Sequence, residues 1–334
     1  MKTVVTGGNG FIGSHLVKML VDDGRDVSVA SSFSPGEDYL TEMGVKVERR
    51  NVDLRDHRDA QAAIEGADSV FHLAARIGNL MYLHGTQTAE LTSLQTNLSI
   101  DANVFRACFD AGVKKIVYAS SCAVYPMDRQ VTTGAVFKES DLQLSPSFDP
   151  TVLKPGMINP DGGYGWAKLM GEIQLWWARR TDIGIARIFS AYGENEPLGE
   201  RAHAMGDIIQ RAILNQGGDF TVYGDGKQTR DFLYVTDCAR ALIKLEERAG
   251  SPPLTANIGS GQAVSIGALA NQIVRISGKK FNIVFDLTKP VGPVSRTADI
   301  SNTRVSLGWE PTVSLDEGLR LTYEWAESRL RRKS

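Results

Sequence analysis

Tyr164 and Lys168 stand four residues apart in Tyr164-Gly-Trp-Ala-Lys168, so on a helix they share a face, one turn from each other. A phenol beside an ammonium is a proton-transfer pair. The cation favours the phenolate, and the positive end of a helix opening at Gly162-Gly163 favours it further, which would make Tyr164 a base near neutral pH. By itself the spacing says little, because Tyr-x-x-x-Lys also arises by chance on solvated helix edges. Two other features give it weight. Ser121 closes an apolar run from Lys115 that reads as a strand with a hydroxyl at its end, and Gly8-x-Gly10-x-x-Gly13 reads as a cradle for a dinucleotide pyrophosphate. In such a cradle one glycine allows the tight turn, one admits the phosphates and one lets helix and strand pack closely. A helix opening at Phe11 would aim free N–H groups and its positive end at those phosphates.

The elements that must hold these groups follow from periodicity. Thr3 to Thr6 reads as a strand, and Ile12, Leu16, Met19 and Leu20 recur at helical spacing until Asp23-Gly24. Further strands are expected at Asp26 to Ala30, at Val45 to Val47 and on to Val52, at Ser69 to Ala75 and at Lys115 to Ser121. Helices are expected at Asp59 to Ile64 and around Asn97 to Asp110. This alternation predicts an α/β fold, a Rossmann-type doubly wound parallel sheet, with Ser31, Ala75 and Ser121 on the ligand-binding rim at the carboxyl ends of its strands. From Met127 to Gly163 the pattern becomes irregular, with Pro146, Pro150, Pro155 and Pro160, and reads as a long loop or small lid over the site. A helix from Tyr164 to Arg180 and a strand from Ile183 to Phe189 follow. Then come a helix at Ala204 to Leu214, a strand at Phe220 to Tyr223, a helix at Val235 to Glu246, a strand at Thr255 to Ile258 and a helix at Ser265 to Ile276. A last helix starts at the capping box Ser314-x-x-Glu317. On this reading residues 1–190, rejoined by 232–262, hold the dinucleotide, and residues 191–231 with 263–334 form a smaller α/β substrate domain.

A chain of 334 residues, 42% apolar and 23% charged, can build a sizeable core. Its net charge of −2 and isoelectric point near 6.2 give no general attraction to nucleic acid or an anionic membrane, so anionic ligands must be met by local arginines. No uninterrupted apolar run reaches the ~20 residues of a membrane span, and no basic-then-apolar signal precedes the first strand, which points to the cytosol. Cys108, Cys122 and Cys238 lack CxxC or Cys/His spacing, so neither a disulfide frame nor a metal site is indicated. The acid that usually contacts the NAD ribose is replaced by Ser31. Glu37 and Asp38 follow, and no Arg or Lys lies between Ser31 and Asp38 to hold a 2′-phosphate, so the cofactor expected is NAD.

Thr6-Gly-Gly-x-Gly-Phe-Ile-Gly13, Asp53-Leu54, His72-Leu-Ala-Ala75, Asn97, Ser120-Ser121, Tyr164-x-x-x-Lys168, Arg230-Asp-Phe-x-Tyr-Val235 and Leu307-Gly-Trp-x-Pro311 together resemble one family over nearly the whole chain. It is the extended short-chain dehydrogenase/reductases, in their nucleotide-sugar epimerase and dehydratase branch. The resemblance implies NAD as cofactor, a nucleotide-diphosphate sugar as substrate and a homodimer. It implies cofactor contacts from Gly7, Gly10, Phe11, Ile12, Gly13 and Ser31, with Asp53 and Leu54 at the adenine. Leu73, Ala74 and Ala75 would line the dinucleotide, joined by Asn97 and Tyr164, and Lys168 would bond the nicotinamide ribose. Arg230 and Arg296 would bind the sugar-nucleotide diphosphate, a role that also suits the guanidinium fork. Ser121, Ser190 and His203 would face the sugar, Ser190 standing where many relatives keep an Asn.

The implied reaction is a proton transfer from a sugar hydroxyl to Tyr164, shared by Ser121, with hydride passing to the nicotinamide and returning to the other face of the transient ketone. Ser121-Cys122-Ala123-Val124-Tyr125 lacks the acid that follows the catalytic Ser or Thr in the dehydratases and uronate decarboxylases of this branch. It looks like a simple 4-epimerase of an NDP-hexose. Glu317-Gly-Leu-Arg-Leu-Thr-Tyr-Glu-Trp325 and Arg201-Ala-His203 look instead like the GDP-sugar 3,5-epimerases, with His203 where a proton donor is kept. Those enzymes carry a catalytic Cys at the position of Ala123. Cys122, one residue away, would face the other side of an extended segment. His203 and Cys122 therefore stand as further acid/base candidates, and 3,5-epimerisation or NADPH-dependent reduction of a keto-sugar as the alternative activities. A non-catalytic dinucleotide-binding protein is the remaining reading, against which the full Ser121, Tyr164, Lys168 set argues.

Overall fold

Strand β1 (Lys2–Thr6) is buried from Thr3 onward, and helix α1 (Phe11–Asp22) lays Leu16, Val17 and Leu20 against the sheet at helical spacing. A Cβ on Gly13 would stand 2.2 Å from the Gly7 carbonyl oxygen, so only glycine lets α1 begin this close to β1. The structure is a computed structural model that describes residues 1–32, 38–142, 158–178 and 181–331. After α1 come β2 (Asp26–Ser31), α2 (Tyr39–Glu42), β3 (Glu48–Asn51), α3 (His57–Ile64), β4 (Ser69–His72), α4 (Leu80–His84), α5 (Gln87–Asp110) and β5 (Lys115–Ser121). The middle of the chain supplies α6 (Met127–Gln130), β6 (Val136–Phe137), α7 (Gly162–Trp177), β7 (Asp182–Ile188), β8 (Ala191–Tyr192), α8 (Ala204–Leu214), β9 (Gly218–Tyr223), β10 (Thr229–Arg230) and β11 (Leu233–Tyr234). The remainder is α9 (Val235–Arg248), β12 (Leu254–Ile258), β13 (Val264–Ser265), α10 (Ile266–Ser277), β14 (Phe281–Asp286), β15 (Ser295–Ala298), α11 (Ser301–Leu307) and α12 (Leu315–Arg331).

Seven strands make one parallel sheet in the order β12-β7-β5-β4-β1-β2-β3, the Rossmann-type arrangement. Strand order reverses between β1 and β4, and a crevice opens at their carboxyl ends, where Thr6 pairs with His72. A second sheet, β13-β10-β15-β6, lies beyond it, with the two-stranded pairs β11-β8 and β14-β9. Val136 and Phe137 join that second sheet through Thr297 and Ala298, while Leu307 and Trp309 pack into the core of the larger one. Among the described residues no helix is long and apolar enough to cross a membrane.

Several boundaries differ from the periodicity. The third strand starts at Glu48 rather than Val45, because Val45 closes the turn after α2, its N–H donating to Leu40 O at 2.8 Å. Helix α5 starts at Gln87 rather than near Asn97, capped by the Thr86 hydroxyl, which accepts from Ala89 N at 3.0 Å. The fourth strand ends at His72, and Leu73 to Ala75 turn along the cleft. The stretch from Met127 is less irregular than its prolines suggest, since it carries α6, β6 and a turn of 3₁₀ helix at Glu139–Leu142. Residues 143–157, with three of the four prolines, lie outside the described residues, as do Glu37 and Arg180.

Helix α7 is fixed by a buried ion pair. The Arg187 guanidinium on β7 meets both Glu172 carboxylate oxygens, with Nη2 2.7 Å from Oε2 and Nε 3.1 Å from Oε1, and the Ser120 hydroxyl donates to the same Oε1 at 2.5 Å. The remaining guanidinium protons go to Leu142 O, Glu139 O and the Tyr125 hydroxyl, at 2.9, 3.2 and 3.3 Å. Removing one partner leaves the other charge without water or a counter-ion. Arg187→Met should lower unfolding free energy by about 3–5 kcal/mol, and adding Glu172→Met should restore much of it, as read from urea denaturation midpoints.

Candidate active site

Three contacts fix the start of α7. Asp161 N–H donates to Ala123 O at 2.8 Å, and Gly163 N–H donates to the Glu90 carboxylate at 2.5 Å. At Gly165, a Cβ would sit 2.5 Å from Ala123 O, so glycine lets the helix lie against the turn that follows β5. This close approach sets the Tyr164 phenol beside the Ser121 side chain, whose oxygen accepts from Ala123 N at 3.1 Å. Lys168, fully buried one turn on, has its Nζ 6.0 Å from the centre of the Tyr164 ring and 4.6 Å from that of Tyr118.

The electrostatics differ from the sequence expectation. Burial pushes the Tyr164 phenol up, and the nearby Ser121 side chain only partly offsets it; burial pulls the Lys168 ammonium down, opposed by Asp101 and Glu172. Tyr164 is therefore not a phenolate near neutral pH in the protein alone. Desolvation outweighs the neighbouring cation, and the Glu90 carboxylate already occupies the positive end of α7.

A cleft of about 1360 Å³ runs from the glycine loop to this trio. Its far wall carries Gly7, Gly10, Phe11, Ile12 and Gly13, then Ser31, Asp53 and Leu54, and Leu73 to Ala75 lead back towards Tyr164 and Lys168. Among the described residues no side chain caps α1 at Gly10, which leaves the first-turn N–H groups to an anion. With Gly13 leaving no room for a side chain, this loop fits a dinucleotide pyrophosphate. The Asp53 carboxylate is held low by the Arg55 hydrogen bond, and Ser31 Oγ accepts from Asn9 N at 3.4 Å. Asp38 caps α2 and pairs with Arg49 at 2.6 Å. Asn97 is the exception among the expected cofactor contacts. It is buried outside the cleft lining, where its amide ties down Arg76 by accepting from N at 2.8 Å and donating to O at 3.1 Å.

At the other end Arg230 and Arg296 face one another. Burial, with the Arg296 charge beside it, pulls Arg230 down to about 10. Arg230 Nη1 donates to the Thr229 and Pro293 carbonyls at 2.7 and 2.8 Å, and Arg296 is held by Gln130 and Asp161. Two adjacent guanidiniums in a desolvated cleft suit an anion that bridges them. Gln130 and Asp161 escaped the sequence reading because their role depends on β15 lying beside β6. Ser190 lies on the same lining.

Cys122 does not turn away as an extended segment would require. Residues Cys122–Val124 form a 3₁₀ turn, which sets the Cys122 thiol beside the Ser121 side chain and on the cleft wall. Burial pushes that thiol up, against the pull of Arg296 and Arg230. His203, the residue before α8, places Nδ1 3.6 Å from Glu196 Oε1. Glu196 is buried, and neither carboxylate oxygen has a hydrogen-bond partner among the described residues.

A glycine-loop cleft leading to neighbouring Ser121 and Tyr164 over Lys168 defines a dinucleotide-dependent enzyme that moves hydride and proton together. Comparison with known proteins gives the family: the model described as "NAD dependent epimerase/dehydratase family" matches residues 3–259, and the chain belongs to that family. Its cofactor is NAD. GDP-mannose 3,5-epimerase of Arabidopsis thaliana is 31% identical, over 100% of this chain and 84% of that protein. The UDP-glucose 4-epimerase of Thermotoga maritima, solved with UDP-glucose, superposes with a TM-score of 0.82 at 25% identity, covering 99% of this chain and all of that one. MoeE5, solved with UDP-glucuronic acid and NAD, superposes with a TM-score of 0.78 at 27% identity and full coverage of both.

The Ser121 side chain lowers the Tyr164 ionisation, so Ser121→Ala should move the acid limb of the kcat profile to higher pH. Tyr164→Phe keeps the ring and loses the proton acceptor. Turnover should fall by at least ~10²-fold with the circular dichroism spectrum unchanged.

Proposed function

We propose that the protein inverts C4 of a nucleoside-diphosphate hexose, a reading carried by Ser121, Tyr164 and the buried Lys168 lining one cleft with the glycine loop, Lys168 Nζ lying 6.0 Å from the Tyr164 ring centre. Residues 1–190 with 232–262 hold the cofactor on this reading, and residues 191–231 with 263–334 supply Arg230, Arg296 and His203 for the substrate. Tyr164 takes the proton of the C4 hydroxyl and later returns it, Ser121 shares that hydrogen bond, and Lys168 holds positive charge beneath them. NAD, when bound, supplies a reversible acceptor for the C4 hydride and a positive charge that favours the ionised phenol. Arg230 and Arg296 grip the diphosphate while the sugar end turns its other face.

Ala123, apolar and buried, favours simple inversion at C4, because it offers no proton to a neighbouring carbon. One observation favours 3,5-epimerisation instead: His203, with Glu196 Oε1 3.6 Å from its Nδ1, shares the cleft wall with the Cys122 thiol, in a chain 31% identical to an enzyme of that name. The hydrogens separate the two. A 4-epimerase moves only the C4 hydrogen, as hydride, whereas 3,5-epimerisation exchanges C–H protons with water. Turnover of UDP-, GDP-, CDP- and dTDP-sugars in D₂O, read by NMR, should give an inverted product without deuterium and without net consumption of NAD. Deuterium at C3 or C5 would replace the C4 reading, and stoichiometric NADPH oxidation would make the enzyme a reductase.

We also infer a homodimer working in the cytosol. The first is supported by the exposed apolar Leu91 and Phe109 on α5 and Trp177 on the neighbouring α7, the second by three free, buried cysteines.

A further inference from the structure

His72, Asp101 and Tyr118 take no part in the reaction above, yet all three are buried directly behind it. Asp101 on α5 meets His72 Nε2 at 3.0 Å with one carboxylate oxygen and accepts the Tyr118 hydroxyl at 2.6 Å with the other. His72 Nδ1 lies 2.7 Å from Thr6 Oγ1, which accepts from Ala74 N at 3.3 Å. One proton arrangement satisfies every member: Thr6 donates to Nδ1, Nε2–H donates to Asp101, and Tyr118 donates to Asp101. The imidazole is then neutral, in keeping with the downward pull of its burial, and both carboxylate oxygens act as acceptors.

That charge lies beside α7. A Cβ on Gly171 would be 2.8 Å from Asp101 Oδ2, and Gly171 is one turn beyond Lys168 on the same face. Tyr118 bridges the two, its hydroxyl on the carboxylate and its ring centre 4.6 Å from the ammonium. The other groups around Lys168 are Glu172 and Tyr164 on its own helix, Tyr118 on β5 and His72 on β4, with Arg187 of β7 behind Glu172. Arg187 neutralises Glu172, His72 is neutral, and Tyr118 and Tyr164 are held protonated by burial. Asp101 is left as the anion with no cation of its own in this group.

We propose that Asp101 is a positioning residue for proton transfer, the counter-charge that keeps Lys168 an ammonium in its buried site, with Tyr118 bridging the two. It rests on the reading of Tyr164 and Lys168 as the proton-transfer pair. A carboxylate joined through His72 and Thr6 to the Ala74 backbone also ties the lysine's charge to the wall of the cofactor cleft.

The test is D101N in the full-length protein, because the amide keeps the size and can still bond both neighbours with His72 in its other tautomer. Lysine labelled at the ε-carbon gives the Lys168 titration by NMR, its signal assigned by absence in K168M. The midpoint should fall by about one pH unit or more in D101N, and the alkaline limb of kcat/KM should fall with it, as loss of a buried opposite charge requires. D101E, which keeps the charge, should leave both close to wild type. Should D101N not fold, D101S, with room for a water, carries the same comparison. A Lys168 midpoint unmoved by D101N, with only thermal stability or kcat reduced, would overturn the proposal and make Asp101 a core residue. The lysine titration needs no substrate, so it stands or falls separately from the sugar-nucleotide reading.

Discussion

The Arg187–Glu172 ion pair sits where α7, two central strands and the segment after β6 meet, and each depends on the charge balance there. Neither residue touches water, so the desolvation of both is offset only if the guanidinium donates all round and the carboxylate accepts all round. The chain meets that condition with Ser120 from β5, Tyr125 after it, and the Glu139 and Leu142 carbonyls. Tyr125 passes the constraint on, donating to Asn257 Oδ1 at 2.6 Å, and the Asn257 amide donates to Phe137 O at 2.9 Å. Strand β12 of the larger sheet and β6 of the smaller are thus fixed to one buried charge. Because Tyr164, Lys168 and Glu172 succeed one another at four-residue steps, anchoring Glu172 sets the rotation of α7 and with it the face that meets Ser121.

The cleft reverses the economy of that interior. Glu172 and Arg187 have all their polar atoms hydrogen-bonded, whereas among the described residues the cleft holds the uncapped start of α1, the mutually repelling Arg230 and Arg296, and buried Glu196 oxygens without a hydrogen bond. A chain of net charge −2 therefore presents positive potential at two points along one groove. An uncapped helix end and an arginine pair in one cleft, with Ser121, Tyr164 and Lys168 on the same lining, suit a site with an anion at each end.

Local pattern made much of the fold legible. Strand β1, the glycine loop and α1 could be read in sequence because their residues are neighbours whose spacing reports burial, and the same holds for α8 and the cap of α12, where Glu317 N donates to Ser314 Oγ at 3.3 Å. Residue chemistry likewise marked Ser121, Tyr164 and Lys168, and the family resemblance added Arg230 and Arg296; all five line one cleft. The sequence by itself determined which groups were available for chemistry and the alternation that builds a parallel sheet, since both are written in side-chain type and short-range period.

Only the tertiary structure decided how those groups are charged and aimed. Whether Tyr164 is a phenol or phenolate turns on burial by segments far away in sequence, and Cys122 faces the cleft because a 3₁₀ turn replaces the extended path its position suggested. Asn97 braces the Arg76 backbone, and the sequence did not single out Asp101, which His72 and Tyr118 close on. Partners such as Arg296 and Asp161, or His72 and Thr6, leave no period in the chain, because a hydrogen bond between distant segments constrains position in space and not spacing in sequence.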